Sequence, residues 1–506
     1  MSPELSPPIA RLPPEMLIAI FLAARQIIPR KSFTILTISW VCQHWRTIAL
    51  ATPELWECID TLNINAIRNS IIRARDRPLS IFLAILQHHN RQPVLDVLKS
   101  LPRTVTLRLV ASHEDDFTRM RQFIEMTAPA PVLEILQLDA LDLPKNMFSG
   151  HLPSLRRLSL SFMSLRLEHI PECPQLRSLR VANTDKPIPV IKLIQLLPAF
   201  PLLETLEIRC IFWNRPGVNV NLPGSPAELP NLRVLDLAFE DMHNTVALLK
   251  HLRLPTTCII KLDCAQKHQD EHISLISALF VCRTSTPAVI KKIKISTESG
   301  VDLKVTERVV EDVQRSTTQG PNLDVQFWPY NLRPYPTVRM ATQICQHHLD
   351  LDNLETLDLT CKFWKDQISQ SFWEFVDLLP HLRTLKIRCI YVESFIDYIS
   401  ESIAFQSTNM SRPRFSAINK LVYEEDPGCD AEPFNLRLIT LMEYLRIRMN
   451  KGFPLETLKF VRQEWEQEWI EIPEEILEGL KEVVQKLTRV VKIQKITHWD
   501  NYFDDY

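Results

Sequence analysis

One short string, Leu-x-x-Leu-x-(Leu/Ile/Val), governs this sequence, and it usually follows a proline. It occurs as APVLEILQLD from Ala130, LPSLRRLSLS from Leu152, CPQLRSLRVA from Cys173, PLLETLEIRC from Pro201 and LPNLRVLDLA from Leu229. It returns as LDNLETLDLT from Leu351, LPHLRTLKIR from Leu379 and FPLETLKFV from Phe453, with weaker copies IIKLDC from Ile259, VIKKIKIS from Val289 and AINKLVYE from Ala417. The first apolar positions, 133, 155, 176, 203, 232, 259, 290, 354, 382, 418 and 455, lie 21 to 37 residues apart except for one step of 64. Recurrence at this period points to one supersecondary unit used many times. The end of each string alternates apolar and polar, as in Leu206-Glu207-Ile208-Arg209, which predicts a half-buried strand. Segments of helical period fall between the strings, among them 190–197, 246–252, 371–379 and 393–403. A strand, a helix and a parallel strand cannot cover their own apolar faces, but stacked neighbours share one core. The predicted fold class is therefore α/β, with parallel strands on one side and helices on the other. Residues 323–327 sit near the middle of the long step, alternate in the same way, and are expected to supply a missing copy; PRTVTLRLV from Pro102 is expected to be a degenerate first one.

Composition excludes several kinds of chemistry. Among 506 residues only 8 are glycine, none closer than seven apart, so no Gly-rich phosphate loop can be written. The 11 cysteines are scattered without any C-x-x-C, which predicts reduced, mostly buried thiols rather than a disulfide scaffold or a zinc site. There is no G-x-S-x-G and no H-E-x-x-H. The pairs His88-His89 and His347-His348 are neighbours whose side chains diverge, and His113 sits in an acidic turn. Cys210 and Cys389 occupy equivalent places in two repeats and read as small core residues. No catalytic residue, metal or cofactor is expected, and the chain reads as a non-enzyme. Lys and Arg total 58 against 60 Asp and Glu, a net charge of −2, which argues against a nucleic-acid partner. The longest apolar run, Met16 to Ala24, is far short of the ~20 residues that cross a bilayer, and no signal peptide opens the sequence, so the expectation is no membrane and a cytoplasmic or nuclear location.

The first sixty residues differ from the rest. Leu12-Pro13-Pro14-Glu15 has the form of a helix start, with proline in the first turn and an acid at the positive helix end. Leu17, Ile20, Phe21 and Ala24 follow at helical spacing. A second helix is expected to carry Ile35, Ile38, Val41, Cys42, Trp45, Ile48 and Ala49, with Pro53 ending it and Leu55-Trp56 packing after the turn. So short a module has too little core to bury all these apolar groups, so something must cover them.

Two resemblances follow from these residues. The repeated string resembles the leucine-rich-repeat family over residues 101–461, although the Asn that normally follows the strand is absent and the repeat length varies. That resemblance implies an irregular solenoid with strands on its concave side and helices on its convex side. Leu12, Pro13, Glu15, Ile20, Phe21, Val41, Cys42, Trp45, Arg46, Pro53, Leu55 and Trp56 together resemble the F-box over residues 8–60, after a stretch at 1–7 that is expected to be disordered. Trp40 departs from the small or aliphatic residue commoner there. The stretch Ser70 to Ser80 is similar to the continuation seen in expanded fungal F-box families, in a connecting helical segment at 61–100. Residues 462–506 are expected to form a C-terminal cap, helical from Pro473 to about Val491, with an acidic tail.

The F-box resemblance implies a partner, the adaptor Skp1, and through it a cullin–RING ubiquitin ligase to which the chain presents a protein substrate. By matching positions, Leu12, Pro13, Ile20, Phe21, Val41, Cys42 and Trp45 are the candidates for the adaptor face and its supporting core. The alternative is a binding or scaffold protein whose N-terminal helices only cap the repeats. Substrate candidates are the outward residues of the strands, Thr205, Glu207, Arg209, Asp236, Asp358, Lys386 and Arg388. Trp213, Trp364 and Trp373 are either binding anchors or core plugs, and the run Arg68, Arg73, Arg75 and Arg77 reads as a solvated helix face.

Overall fold

The computed structural model describes residues 9, 12–27, 33–60, 63–85, 96–111, 128–139, 147–161, 167–182, 189–210, 226–239, 242–266, 271–282, 289–296, 301–308, 323–329, 343–346, 349, 351–360, 369–388, 390–405, 412–425, 431–464 and 473–493. It is a mixed α/β structure dominated by parallel strands, and it divides into two compact units, residues 1–240 with 247–255, and residues 241–246 with 256–506.

The first unit opens with three helices, α1 (Pro14–Ile27), α2 (Phe33–Val41) and α3 (Gln43–Ala51). The single second helix expected from the sequence is two. Cys42 breaks it with an extended backbone (φ −161°, ψ 167°) and caps α3, its sulfur accepting from the Trp45 N–H at 3.5 Å. Leu17, Phe21, Ile35, Ile38, Ile48, Ala49, Leu55 and Trp56 form the core of this module. The Trp56 indole N–H donates to the Ala49 carbonyl at 2.8 Å.

Next come β1 (Cys58–Ile59), α4 (Ile64–Arg73), β2 (Leu79–Ile85), β3 (Thr104–Ala111), β4 (Ile135–Asp139), β5 (Arg157–Ser161), β6 (Ser178–Ala182), β7 (Thr205–Cys210) and, after the short β8 (Ala227–Glu228), β9 (Val234–Phe239). From β1 to β9, leaving out β8, each strand pairs in parallel with the next in the chain. The parallel pairing thus starts at β1, inside the 8–60 segment, and β2 lies in the segment expected to be helical, because Leu79, Ile81 and Leu83 alternate as a strand does. The small β10 (Leu252–Arg253) pairs with β8 in parallel.

The repeated string acts through three buried positions. Its middle leucines stack in register across the sheet, Leu107, Leu136, Leu158, Leu179, Leu206 and Leu235. Its last apolar positions, from Leu109 to Leu237, form a second buried ladder one pleat further on. Its first position closes a tight turn, as when the Leu155 N–H reaches the Leu152 carbonyl at 3.3 Å and the Leu232 N–H reaches that of Leu229 at 3.1 Å. Pro153 and Pro230 stand second in these turns, where a fixed φ is an advantage and no N–H is needed. That is why proline precedes the leucines.

The second unit carries β11 (Ile259–Gln266), β12 (Val289–Ser296), β13 (Val301–Arg308), β14 (Leu323–Pro329), β15 (Thr356–Thr360), β16 (Thr384–Arg388), β17 (Lys420–Glu425), β18 (Leu455–Glu464) and β19 (Val484–Ile493). From β15 to β19 the strands again pair in parallel in chain order. The start of this unit differs from the expectation. Residues 323–327 do form a strand, β14, but it pairs with β11 on one side and antiparallel with β13 on the other. β13 in turn pairs antiparallel with β12, and β12 lies directly beside β15. The order in space is β11, β14, β13, β12, β15, so β14 is not the missing link between β12 and β15.

The C-terminal helix also ends sooner than expected, at Val483, and the chain continues as β19, parallel to β18. The β-branched residues Val484, Thr488, Val490, Val491 and Ile493 suit a strand. Helix Gln370–Asp377 buries Phe372, Trp373 and Val376 on one face. Trp373 stands edge-on to Phe395 at 5.5 Å and to Phe415 at 6.1 Å, and its indole N–H donates to the Ser394 hydroxyl at 2.7 Å. Of the three tryptophans weighed as anchors, Trp373 is therefore a core residue; Trp213 and Trp364 lie outside the described residues.

Candidate interaction surfaces

α1 begins at Pro14, so Met16 and Ile20 fall one turn apart on one side while Leu17 and Phe21 fall on the other. Leu17 and Phe21 face inward. Met16 is 53% exposed and Ile20 40%. At the far end of α2, which packs on α1, Trp40 is 67% exposed and Val41 58%. The break at Cys42 produces this exposure: α2 stops at Val41, and Trp45, one turn into α3, is free to lie over Phe21 with ring centroids 4.9 Å apart.

Seven residues were expected to form this face and its core. Pro13, Ile20, Val41 and Cys42 are exposed, and Leu12 and Trp45 are half-buried. Phe21 is 1% exposed and cannot touch a partner; it belongs to the supporting core only. Met16 and Trp40 are exposed beside the expected residues and were missed. Helical spacing from Ile20 would have found Met16, while Trp40 read as an oddity of packing.

Cys42 is the exposed cysteine among the free thiols described, with Cys58 partly covered. Cys173, Cys264 and Cys345 are buried, and burial pushes each thiol up to about 12. At pH 8 a group with such a pKa is ionised to about one part in ten thousand. Brief alkylation with iodoacetamide is therefore expected to mark Cys42 at least about a hundredfold faster than those three, read by peptide mass spectrometry. Cys389, the side chain of Cys210, and the residues His88, His89, His113, His347 and His348 lie outside the described ones.

The outward strand residues behave differently in the two units. In the first, Thr205, Glu207 and Asp236 are half-buried and Arg209 is exposed, and the charges satisfy one another. Arg180 meets Glu207 at 3.2 Å, Glu207 meets Arg209 at 3.0 Å, and Arg209 meets Asp236 at 2.7 Å. In the second, Asp358 and Arg388 stand on the expected face of the sheet but are buried there. The reason for Asp358 is that Lys386 (3.1 Å) and the Thr360 hydroxyl (3.4 Å) close over its carboxylate. Arg388 lies in register with Glu424, at the end of β16. Lys386 remains half-exposed.

The basic run is also largely used within the chain. Arg68 pairs with Asp96 at 2.7 Å, Arg77 with Glu57 at 2.7 Å, and the Arg73 guanidinium lies 4.4 Å above the Trp56 ring. Among the described residues, no three His, Cys, Asp or Glu side chains gather in a way that could hold a metal ion, and no helix is long and apolar enough to cross a membrane. No protein-family model matches the chain, and no curated protein is significantly similar to it.

Proposed function

We propose that this chain is a substrate receptor of an SCF-type cullin–RING ubiquitin ligase, an F-box protein with an irregular leucine-rich-repeat solenoid. It binds the adaptor Skp1 through α1–α3 and a protein substrate through the strand face, and it does no bond-making of its own. Its contribution is to hold a substrate near a ubiquitin-loaded enzyme, so that an encounter becomes effectively intramolecular. The observation that carries the reading is the exposure of Met16, Ile20, Trp40 and Val41 on two helices that bury Leu17, Phe21, Ile35 and Ile38. Large apolar side chains left in water on neighbouring helices are a usual mark of a protein interface. The in-register leucines and the repeated X-Pro-x-Leu turn support the repeat part of the reading.

The competing reading, a scaffold whose first helices only cap the repeats, has no use for these side chains in solvent. Co-purification decides between them. The full chain, expressed with the adaptor, is expected to elute with it as a one-to-one complex in which Cys42 resists alkylation. Separate elution of the two proteins would refute the receptor role.

A further inference from the structure

The strands of the second unit bury one set of side chains, such as Leu357, Leu385 and Leu458, and turn the alternate set to the other face. On that face the register places Lys292, Thr356, Thr384, Lys420 and Thr457 in one line across β12, β15, β16, β17 and β18. The line has no carboxylate. Lys292 and Lys420 are exposed, and the three threonines are half-buried between and beside them. One pleat further on the row runs Lys294, Asp358, Lys386, the buried Val422 and Lys459. Lys292, Lys294, Lys420 and Lys459 make no ion pair with any described residue, in contrast to the self-neutralised charges of the first unit's strands.

Asp358 shows what such a surface takes. Its carboxylate is held between a lysine ammonium and a threonine hydroxyl. The line from Lys292 to Thr457 repeats the same two groups as cross-strand neighbours, with no acid supplied by the chain. Directly opposed side chains on adjacent strands start about 5 Å apart, near enough for one carboxylate to accept from both. Lys292 and Lys420 are three strands apart, roughly 14 Å at the usual ~4.8 Å spacing. Cations that far apart do not converge on a single phosphate. They match an extended chain, which advances about 3.3 Å per residue, with acids about four residues apart.

We infer that this face is a docking strip for an extended, carboxylate-rich protein segment and, resting on the receptor reading above, that such a segment marks the substrates. Binding is driven by these lysines, with the threonine hydroxyls fixing the register of the acids.

The test uses the full chain and a fluorescein-labelled Glu/Ser peptide of about twelve residues, with its Gln/Ser counterpart as the uncharged probe. Fluorescence anisotropy at low salt is expected to show the Glu peptide binding at least about tenfold more tightly than the Gln peptide, and losing that advantage as salt rises. Lys292→Glu with Lys420→Glu is expected to weaken the Glu peptide about tenfold, and Lys292→Gln with Lys420→Gln about threefold. Lys250→Glu, on helix Met242–Lys250, is expected to leave it within about twofold. Equal binding of both peptides, or equal effects of the strip and control variants, would overturn the inference. So would a peptide with one phosphoserine and no other acid binding as tightly as the Glu peptide, since that would mean a point-anion site. Adaptor capture by the same preparations reports separately on the receptor reading. Capture without peptide binding sinks the strip alone, and peptide binding without capture keeps the strip but removes its link to ubiquitin transfer.

Discussion

Ile20→Glu combined with Val41→Lys is expected to abolish measurable adaptor capture, with affinity falling by at least about a hundredfold, while the melting temperature moves by no more than about 2 °C. Each side chain is a large apolar group in water, so each can be covered by a partner and neither contributes much to the chain's own core. Central apolar anchors of an interface commonly cost about 2 kcal/mol or more each when replaced, and 1.4 kcal/mol is a factor of ten. A charge placed in a dry interface without a partner adds to that loss. The substitutions are chosen so that helix formation is preserved. Glutamate is a good helix former in the middle of α1, and a cation at the last residue of α2 suits the negative end of its dipole. Surface plasmon resonance against immobilised adaptor, paired with calorimetry, separates lost binding from lost folding. Unchanged affinity in the double variant would mean that these helices bind nothing through this face.

Trp373→Ala is expected to destabilise the second unit by about 3–5 kcal/mol, the usual range for deleting a fully buried large aromatic. The indole is surrounded by Phe372, Phe395 and Phe415, and the Ser394 hydroxyl loses its donor when the ring goes. The elements around it cannot close in easily. Phe415 is held with a positive φ of 50° and its N–H is donated to the Asp377 carboxylate, so the loop that carries it is committed to its position. Trp373→Phe keeps most of the ring and is expected to cost well under half as much. Chemical denaturation followed by far-ultraviolet circular dichroism checks both. A small loss for the alanine variant would show that the cluster repacks and that helix Gln370–Asp377 is not anchored here.

The sequence made the parallel strands readable because each string buries three residues at fixed spacing, and a buried position tolerates few substitutes. It made β13 unreadable for the converse reason: VDLKVTER lies off the string and pairs antiparallel, so no copy elsewhere announces it. β19 was hidden by continuity, since the helical pattern from Glu474 runs on through Leu487 without a breaker, and only contact with β18 decides where helix stops. The break at Cys42 was invisible because Ile38, Val41, Trp45 and Ile48 satisfy helical spacing on both sides of it. In the candidate surfaces, Ile20 and Val41 were legible from the F-box resemblance. The lysines of the second sheet were not, because Lys292, Lys294 and Lys420 fall in the weak copies VIKKIKIS and AINKLVYE, whose outward positions attracted no notice. Alternation predicted the side of the sheet for Asp358 and Arg388 but not how far neighbouring side chains overhang them.

The placement of β14 between β11 and β13 sets the order in which the second unit can assemble. A stack in which every strand adds to its predecessor zips from local contacts, and its speed benefits from short loop closures. Here β12 has no place beside β11 until a later stretch of chain has returned to fill the gap. β12, β13 and β14 are antiparallel neighbours in chain order and can pair locally, so the non-local step is the closure of β14 onto β11, while β15 adds to the free edge of β12. A chain that ends before β14 is complete leaves the β11 edge that β14 takes without that partner, and an open strand edge is a template for aggregation.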